Sequence, residues 1–370
     1  MKSSLATVFY ADFSSFSRII AISDVHGDSD GFDALLQKLN FSNQDALVIT
    51  GDILERGPNS LKLLQTVIRL SKNGNIFTVI GNNDTPFLNW LRGEVEDEAV
   101  CAWMHQRSHS MFLDVAEALA LPYETADQVS FLRQTAVRVF SEEFVFLDRL
   151  PHIIDSPVAT FVHAGLQPGP LEMQDVSFSI MAKAFGEQTH RFSKPVVVGH
   201  WPASNYSGSI IDVNVHYLSD TNVYCIDGGN SMKEWAQINY LIFHKDRTTE
   251  TGYHDALAEI RLLDPQEETP SPVTLLFPHT MLTVLEEKDG ISTCYIPYLD
   301  QQLPIPSEQV YEYFGSHYCW DFTTYYPPVQ SGDIVSLCRA EGQELVIKRN
   351  GIVGKYRGRY EIIKKEGYHV

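Results

Sequence analysis

The chain has little basic charge. Over 370 residues, 28 Lys and Arg stand against 47 Asp and Glu, a formal net charge of -19. A field of that sign repels phosphates, which argues against nonspecific binding to nucleic acid or to an anionic membrane. Cysteine is sparse and scattered: Cys101, Cys225, Cys294, Cys319 and Cys338 form no CxxC pair. An odd, dispersed set speaks against a disulfide framework or a structural zinc site, and fits a reducing cytoplasm. No apolar run reaches the length of a membrane span. The first twenty residues lack the apolar core and cleavage site of a secretion signal. The expectation is a soluble, cytoplasmic protein without membrane partners. Hydrophobic residues make up 44 % of the chain, enough for a sizeable core, and the length suggests two domains or one large domain with an appendage.

Six short runs rich in β-branched residues recur: Arg18–Ser23, Ala46–Thr50, Ile76–Ile80, Ala159–Val162, Pro195–Val198 and Val223–Ile226. Their apolar continuity predicts strands buried on both faces. Gly31–Leu39 and Ser60–Leu70 carry apolar residues at helical spacing, so strands alternate with helices and the fold class is α/β. About eighty residues separate the third strand from the fourth, too many for an ordinary connection. The mostly helical patterns between them predict an insertion over about 87–150, lying over one edge of the sheet. Gly252–Leu263 reads as one more helix. The first domain is set at 1–255 and a linker at 256–272, centred on the polar, proline-containing stretch Asp264–Pro272. Short strand-like runs then predict an accessory β-barrel or β-sandwich over 273–370. Asn350-Gly351 is its clearest hairpin signal.

Chemistry-bearing residues follow each strand. Asp24 and His26 follow the first, Asp52 the second, Asn82 the third, His163 the fourth and His200 the fifth; Asp227 follows the sixth. Ligands collect at the carboxyl ends of strands in open α/β sheets. Two Asp, one Asn and three His form a mixed oxygen and nitrogen set suited to Mn²⁺, Fe or Zn²⁺. Six ligands exceed what one open catalytic metal needs, and fit two ions sharing a bridging carboxylate. Two such ions, about 3.5–4 Å apart, clamp an in-line phosphoryl displacement whose nucleophile is a bridging hydroxide. They would also supply the positive field that the surface lacks.

The ordered set Asp24-x-His26, Gly51-Asp52-x-x-Glu55-Arg56-Gly57, Gly81-Asn82, His163-Ala164-Gly165 and Gly199-His200 resembles the phosphoprotein-phosphatase branch of the calcineurin-like metallophosphoesterases. That branch includes bacterial serine/threonine phosphatases and symmetrical diadenosine-tetraphosphate hydrolases. The resemblance covers about 17–245 and implies a central β-sandwich flanked by helices. It implies that Asp24 and His26 bind the first metal, that Asp52 bridges, and that Asn82, His163 and His200 bind the second. Mn is the leading metal, with Fe, Zn or Ni as alternatives. Arg56 would hold substrate phosphate, where a bidentate guanidinium fits, rather than salt-bridge Glu55 or Asp84. The family's second phosphate-binding Arg has no clear match; Arg191 is the one candidate. Asp28 and Asp84 read as capping or supporting residues, and Asp227 as either a supporting partner or a turn former.

Two positions depart from the family pattern. Asn83 stands where it carries its general-acid His, and Glu55 where it carries the Asp that orients that His. An Asn amide donates a hydrogen bond but delivers no proton at a useful rate. Asn83, Glu55 and Asp84 therefore form the candidate leaving-group site beside Arg56, with Asn83 also a substrate contact. Losing a general acid costs about 10²–10⁴-fold where the leaving group needs protonation. A serine alkoxide needs it badly, and a nucleotide leaving from an anhydride much less. The expected substrate is a nucleotide anhydride or another small phosphorylated molecule. The alternatives are a phosphoprotein, with Glu55, His105, His109 or His152 as proton donor, or a weakly active phosphate-binding module.

Two C-terminal features remain. Tyr311, Tyr313, Phe314, Tyr318, Trp320, Phe322, Tyr325 and Tyr326 are assigned to the core of the small β-domain in preference to a stacking platform. From 339 onward eight basic residues face four acidic ones, read as a solvated face.

Overall fold

A computed structural model of the chain describes residues 4–342 and 344–363. It divides into two compact units, residues 1–203 with 214–256, and residues 204–213 with 257–370. Among the described residues no helix is long and apolar enough to cross a membrane.

The first unit is a β-sandwich of two mixed sheets. One runs Thr249–His254, Ile238–His244, Arg18–Ile22, Asp45–Ile49 and Ile76–Thr78, the last three parallel. The other runs Val8–Tyr10, Ile153–Asp155, Thr160–Val162, Val196–Val198, Val223–Cys225 and His216–Leu218. Side-chain parity explains why the predicted strands are continuously apolar. Ile19, Ala21, Ala46 and Val48 face the second sheet, meeting Phe161, Val197 and Ile226 in the inter-sheet core. Their neighbours Ile20, Ile22, Leu47 and Ile49 face the other way, into a layer of helices.

Ser29–Lys38 and Ser60–Ser71 supply that layer. The insertion is helical as expected: Thr85–Arg92, Asp97–Gln106, Met111–Leu119, Ala126–Val139 and Ser141–Asp148. Phe87, Trp90, Phe112 and Leu147 join the same apolar cluster as Leu61 and Leu64, so the insertion stacks on the helix layer.

The helix expected over Gly252–Leu263 is not formed. Thr249–His254 is an edge strand on Ile238–His244, and Ala258–Leu262 is a strand of the second unit. In Ala258–Leu262 only Ile260 and Leu262 are buried, a period of two that three-residue spacing had masked. The linker at 256–272 is corrected with it, because Ala258–Leu262 pairs with both Ile334–Glu341 and Tyr360–Ile362.

The second unit is all-β, with sheets of six, five and two strands. Asn350 and Gly351 turn the hairpin between Glu344–Arg349 and Ile352–Tyr356, both at positive φ, as a two-residue turn of this hand requires. Of the aromatic residues assigned to the core, Phe322 and Tyr325 are buried, whereas Tyr313, Phe314 and Trp320 are exposed. The basic strand residues are largely neutralised. Arg339 and Lys355 pair with Glu341, Arg357 with Glu344, Arg359 with Asp264, and Arg349 with Asp333. Lys364, Lys365 and Glu366 lie outside the described residues.

Candidate metal centre

The six predicted ligands stand at the carboxyl ends of strands from both sheets. Backbone bonds fix the approach: Asp24 N–H donates to the Gly51 carbonyl at 3.1 Å, His26 N–H to Asp52 at 3.0 Å, and Gly199 N–H to His163 at 2.8 Å. The chain is bent sharply at this point. Asp24, His26, Asp52, Glu55, Arg56 and His200 all take positive φ, a region disfavoured by 1–2 kcal/mol or so for residues with a Cβ. Glycine at 81 and 199 lets the loops close, since a Cβ there would run into Asp52 and into Ser23 and Asp24 respectively.

Asp24, His26 and Asp52 are buried and offer ligand atoms all within 4.8 Å of one another. Asp52 Oδ2 lies 3.8 Å from His26 Nε2 and 3.5 Å from His163 Nε2, between the two rings. On the far side, Asn82 Oδ1 is 2.9 Å from His163 Nε2 and 2.7 Å from His200 Nδ1. Backbone carbonyls set the ring tautomers. Nδ1 of His26 donates to Leu54 O and Nδ1 of His163 to Thr50 O, which turns both Nε2 atoms toward the carboxylates. His26 Nε2 is buried with no hydrogen-bond partner. An orphaned nitrogen beside two carboxylates, in a mixed oxygen and imidazole donor set, fits a divalent cation.

The electrostatics agree. Burial holds the His26 imidazole down to about 4, with the Arg56 charge adding to it. Burial also takes His200 down to about 4, helped by the charge of His163. Burial works against charge on His163 as well, but Asp52 beside it carries that ring up to about 10. Asp24 is pushed up by burial and then by Asp227. Too much negative charge is gathered here for the protons available, which is the condition a bound cation relieves.

The four residues assigned to the leaving-group region separate into different roles. Asn83 donates twice to Asp52, from its N–H to Oδ1 at 2.8 Å and from its side-chain amide to Oδ2 at 2.6 Å. Asp84 accepts four backbone N–H groups, from Gly81, Asp52, Ile53 and Leu54, and so locks two ligand loops together. Burial, followed by the Asp52 charge, carries its pKa to about 7. Glu55 points elsewhere: its carboxylate takes the Ser110 hydroxyl at 2.9 Å, the Met111 N–H at 3.0 Å and Trp103 Nε1 at 3.3 Å. Ser110 caps the helix Met111–Leu119, so Glu55 anchors the insertion. An orienting role on Asn83 is not what its bonds serve. Arg56 forms no ion pair with Glu55 or Asp84 among the described residues, and its Nε is buried without a partner.

Asp28 caps the helix Ser29–Lys38 through Gly31 N–H. Arg191 donates to the Ser219 carbonyl, His105 to its own helix at Cys101, and His152 bonds Thr7; none of these bonds reaches the cluster. Sequence reasoning left Asp227 open and passed over Trp103, Ser110 and Arg107. Asp227 is fully buried, accepts the Gly229 N–H, and leaves Oδ2 unpartnered. Arg107 lies over the Trp103 ring at 4.3 Å. Local sequence carried no signal for the Trp103 and Ser110 contacts, which exist because the insertion folds back on the Glu55 loop.

The family model for calcineurin-like phosphoesterases matches residues 17–165. This segment belongs to that family. The phosphoesterase segment is 41 % identical over 73 residues to a symmetrical bis(5'-nucleosyl)-tetraphosphatase of Glaesserella parasuis serovar 5 (strain SH0165), covering 20 % of this chain and 26 % of that one. It is 29 % identical over 119 residues to an asymmetrical bis(5'-nucleosyl)-tetraphosphatase of Bacillus subtilis (strain 168), covering 28 % and 49 %. The match to the first spans about a quarter of that relative's length. Among solved structures, a metallophosphoesterase from Sphaerobacter thermophilus aligns over 65 % of this chain and 87 % of its own, with a TM-score of 0.37 and 20 % identity.

Proposed function

We propose that the chain hydrolyses phosphoanhydrides of the nucleotide type, with two divalent cations held by Asp24, His26, Asp52, Asn82, His163 and His200, manganese foremost. When bound, such ions supply positive charge to phosphate oxygens and lower the pKa of water to near neutrality. The residues of the chain do the rest. Asn83 and Asp84 hold the Asp52 carboxylate and its loop in place. Arg56, whose Nε carries no hydrogen bond, is available to grip phosphate oxygens with a planar fork of donors.

The observation that carries the choice of substrate is the hydrogen bonding of Asn83 and Glu55. Asn83 donates both N–H groups to Asp52, and Glu55 is spent on Ser110, Met111 and Trp103. No acid is thereby presented to a leaving oxygen at the family's usual place. A phosphate or nucleotide leaves as a stable anion and tolerates this; a serine alkoxide does not. The named activity of the bis(5'-nucleosyl)-tetraphosphatase relatives points the same way. Five scattered cysteines with no CxxC pair fit a reducing compartment, and we place the enzyme in the cytoplasm.

The test is a panel with Mn²⁺-loaded protein: diadenosine tetraphosphate, p-nitrophenyl phosphate and a phosphoserine peptide. Faster turnover of the tetraphosphate by about tenfold or more supports the reading. A preference for the phosphopeptide would overturn the substrate class, and no metal-dependent turnover of any of the three would leave a phosphate-binding module.

A further inference from the structure

The five-stranded sheet of the second unit has two unlike edges. One edge strand, Gln301–Pro306, carries Pro304 and Pro306, which withhold ladder donors and block further pairing. The other, Val310–Tyr313, contains no proline and, among the described residues, is paired on one side only, to Ser316–Cys319. Proteins usually guard such an edge. Here it is instead decorated with aromatic rings.

Cross-strand register places Tyr311 opposite Tyr318 and Tyr313 opposite Ser316, so these side chains share one face. Tyr311 and Tyr318 stack at 5.8 Å, Trp320 lies 4.6 Å from Tyr311, and Phe314 tops the turn 4.5 Å from Tyr313. Phe314 is 91 % exposed, Tyr313 60 % and Trp320 59 %. Large rings in contact with each other and with water mark an interaction surface.

Charge identifies the partner. Residues 281–321 hold seven acidic side chains (Glu286, Glu287, Asp289, Asp300, Glu308, Glu312, Asp321) against one basic, Lys288. Glu286, Glu287, Glu308 and Glu312 form no ion pair among the described residues, whereas the neighbouring six-stranded sheet satisfies its charges internally. Phosphate-bearing partners are repelled by such a surface. A second copy paired edge to edge would set Glu308 and Glu312 against their own images. Electron-rich rings on one face of the strand and the Glu312 carboxylate on the other both suit ammonium and guanidinium groups.

We propose that the edge strand Val310–Tyr313 binds an extended Lys/Arg-rich peptide as an added strand. The peptide backbone would complete the ladder, with basic side chains of one parity over Tyr311 and Tyr313 and those of the other parity against Glu312 on the opposite face. The proposal does not depend on the reading of the metal centre's substrate.

Fluorescence polarisation with the full chain tests this. The probe is a labelled eight-residue peptide of repeated Arg-Arg-Val-Val, which puts Arg on both faces of an added strand. One control has the same charge with Pro in place of Val, and the other has Glu in place of Arg. The expected result is saturable binding of the Arg-Val peptide, weaker by about tenfold or more for each control and for the variants Glu312→Pro and Glu312→Lys. Glu312 has an exposed side chain and backbone groups that face away from Ser316–Cys319, so melting temperature and p-nitrophenyl phosphate turnover should match the parent for both variants. Equal binding of the proline control would reduce the effect to bulk charge attraction and overturn the proposal. So would unchanged affinity in Glu312→Pro of unaltered melting temperature, or concentration-dependent dimerisation that Glu312→Pro abolishes, which would assign the edge to a second copy.

Discussion

The two units spend left-handed backbone in different places. In the second unit it falls at hairpin tips and loop corners, at Asp300 and at Asp289, Phe314 and Asn350 with their following glycines. Those positions reverse the chain and do little else. The first unit uses it at turns and helix ends too, such as Asn40 and Ala120, but there it also falls on Asp24, His26, Asp52, Arg56 and His200, residues that are mostly buried and that converge on one point. Turn formers adopt the conformation cheaply; ligands held in it need surrounding structure to over-determine them, and that is a signature of a working site. Here the over-determination is visible in the four N–H bonds to Asp84 and the two carbonyls that orient His26 and His163.

The largest effect that would test this contrast is at the shared carboxylate. Asp52→Asn should abolish metal-dependent turnover of diadenosine tetraphosphate while the protein remains folded by circular dichroism; residual activity near the parent level would remove Asp52 from its bridging role. Arg56→Ala comes next, with kcat/KM falling about 10²–10³-fold, as for other deleted donors to a transition-state charge. Because the Nε of Arg56 holds no hydrogen bond, its melting temperature should stay put.

Glu55→Ala should behave in the opposite sense. It strands the Ser110 hydroxyl, the Met111 N–H and Trp103 Nε1, so about 2–4 kcal/mol of stability is lost in urea unfolding, as expected for unsatisfied buried donors and a lost helix-terminus contact. If instead turnover collapsed with stability intact, Glu55 would be acting on the substrate. In the second unit, Gly351→Ala puts a Cβ on a left-handed hairpin residue and should cost about 1 kcal/mol with turnover unchanged.

The smallest effect concerns pH. Burial of Asp45 works against its charge, but Arg18 and the Ser42 groups hold its pKa below the ordinary 3.8. A folded-state value below the unfolded one means the carboxylate stabilises the fold above the ordinary pKa, and that the gain disappears as pH falls through the lowered one. The gap in melting temperature between the parent and Asp45→Asn should therefore be open at pH 7 and close below about pH 4. A gap independent of pH would mean that shape, rather than charge, is what Asn fails to reproduce.

Much of this was legible in the chain. Continuous apolar runs gave the strands of the sandwich because both faces of each strand are covered. The ligand candidates stood out because each followed such a run. Misreadings had local causes. Leu257, Ile260 and Leu263 happen to repeat at three-residue intervals, and only pairing with Ile334–Glu341 reveals a period of two in Ala258–Leu262. Rings such as Trp320 and Phe314 look like core by composition, but burial depends on what packs above them, which composition does not record.

By itself the sequence determined the donor set and the order in which the strands present it, because residue type and hydrophobic period are local properties. Tertiary structure alone decided the partners of Glu55, Asn83 and Asp84. Each partner lies in a different segment of the chain, and which segments meet is settled by the closing of loops and the packing of helices rather than by the identity of neighbours in sequence.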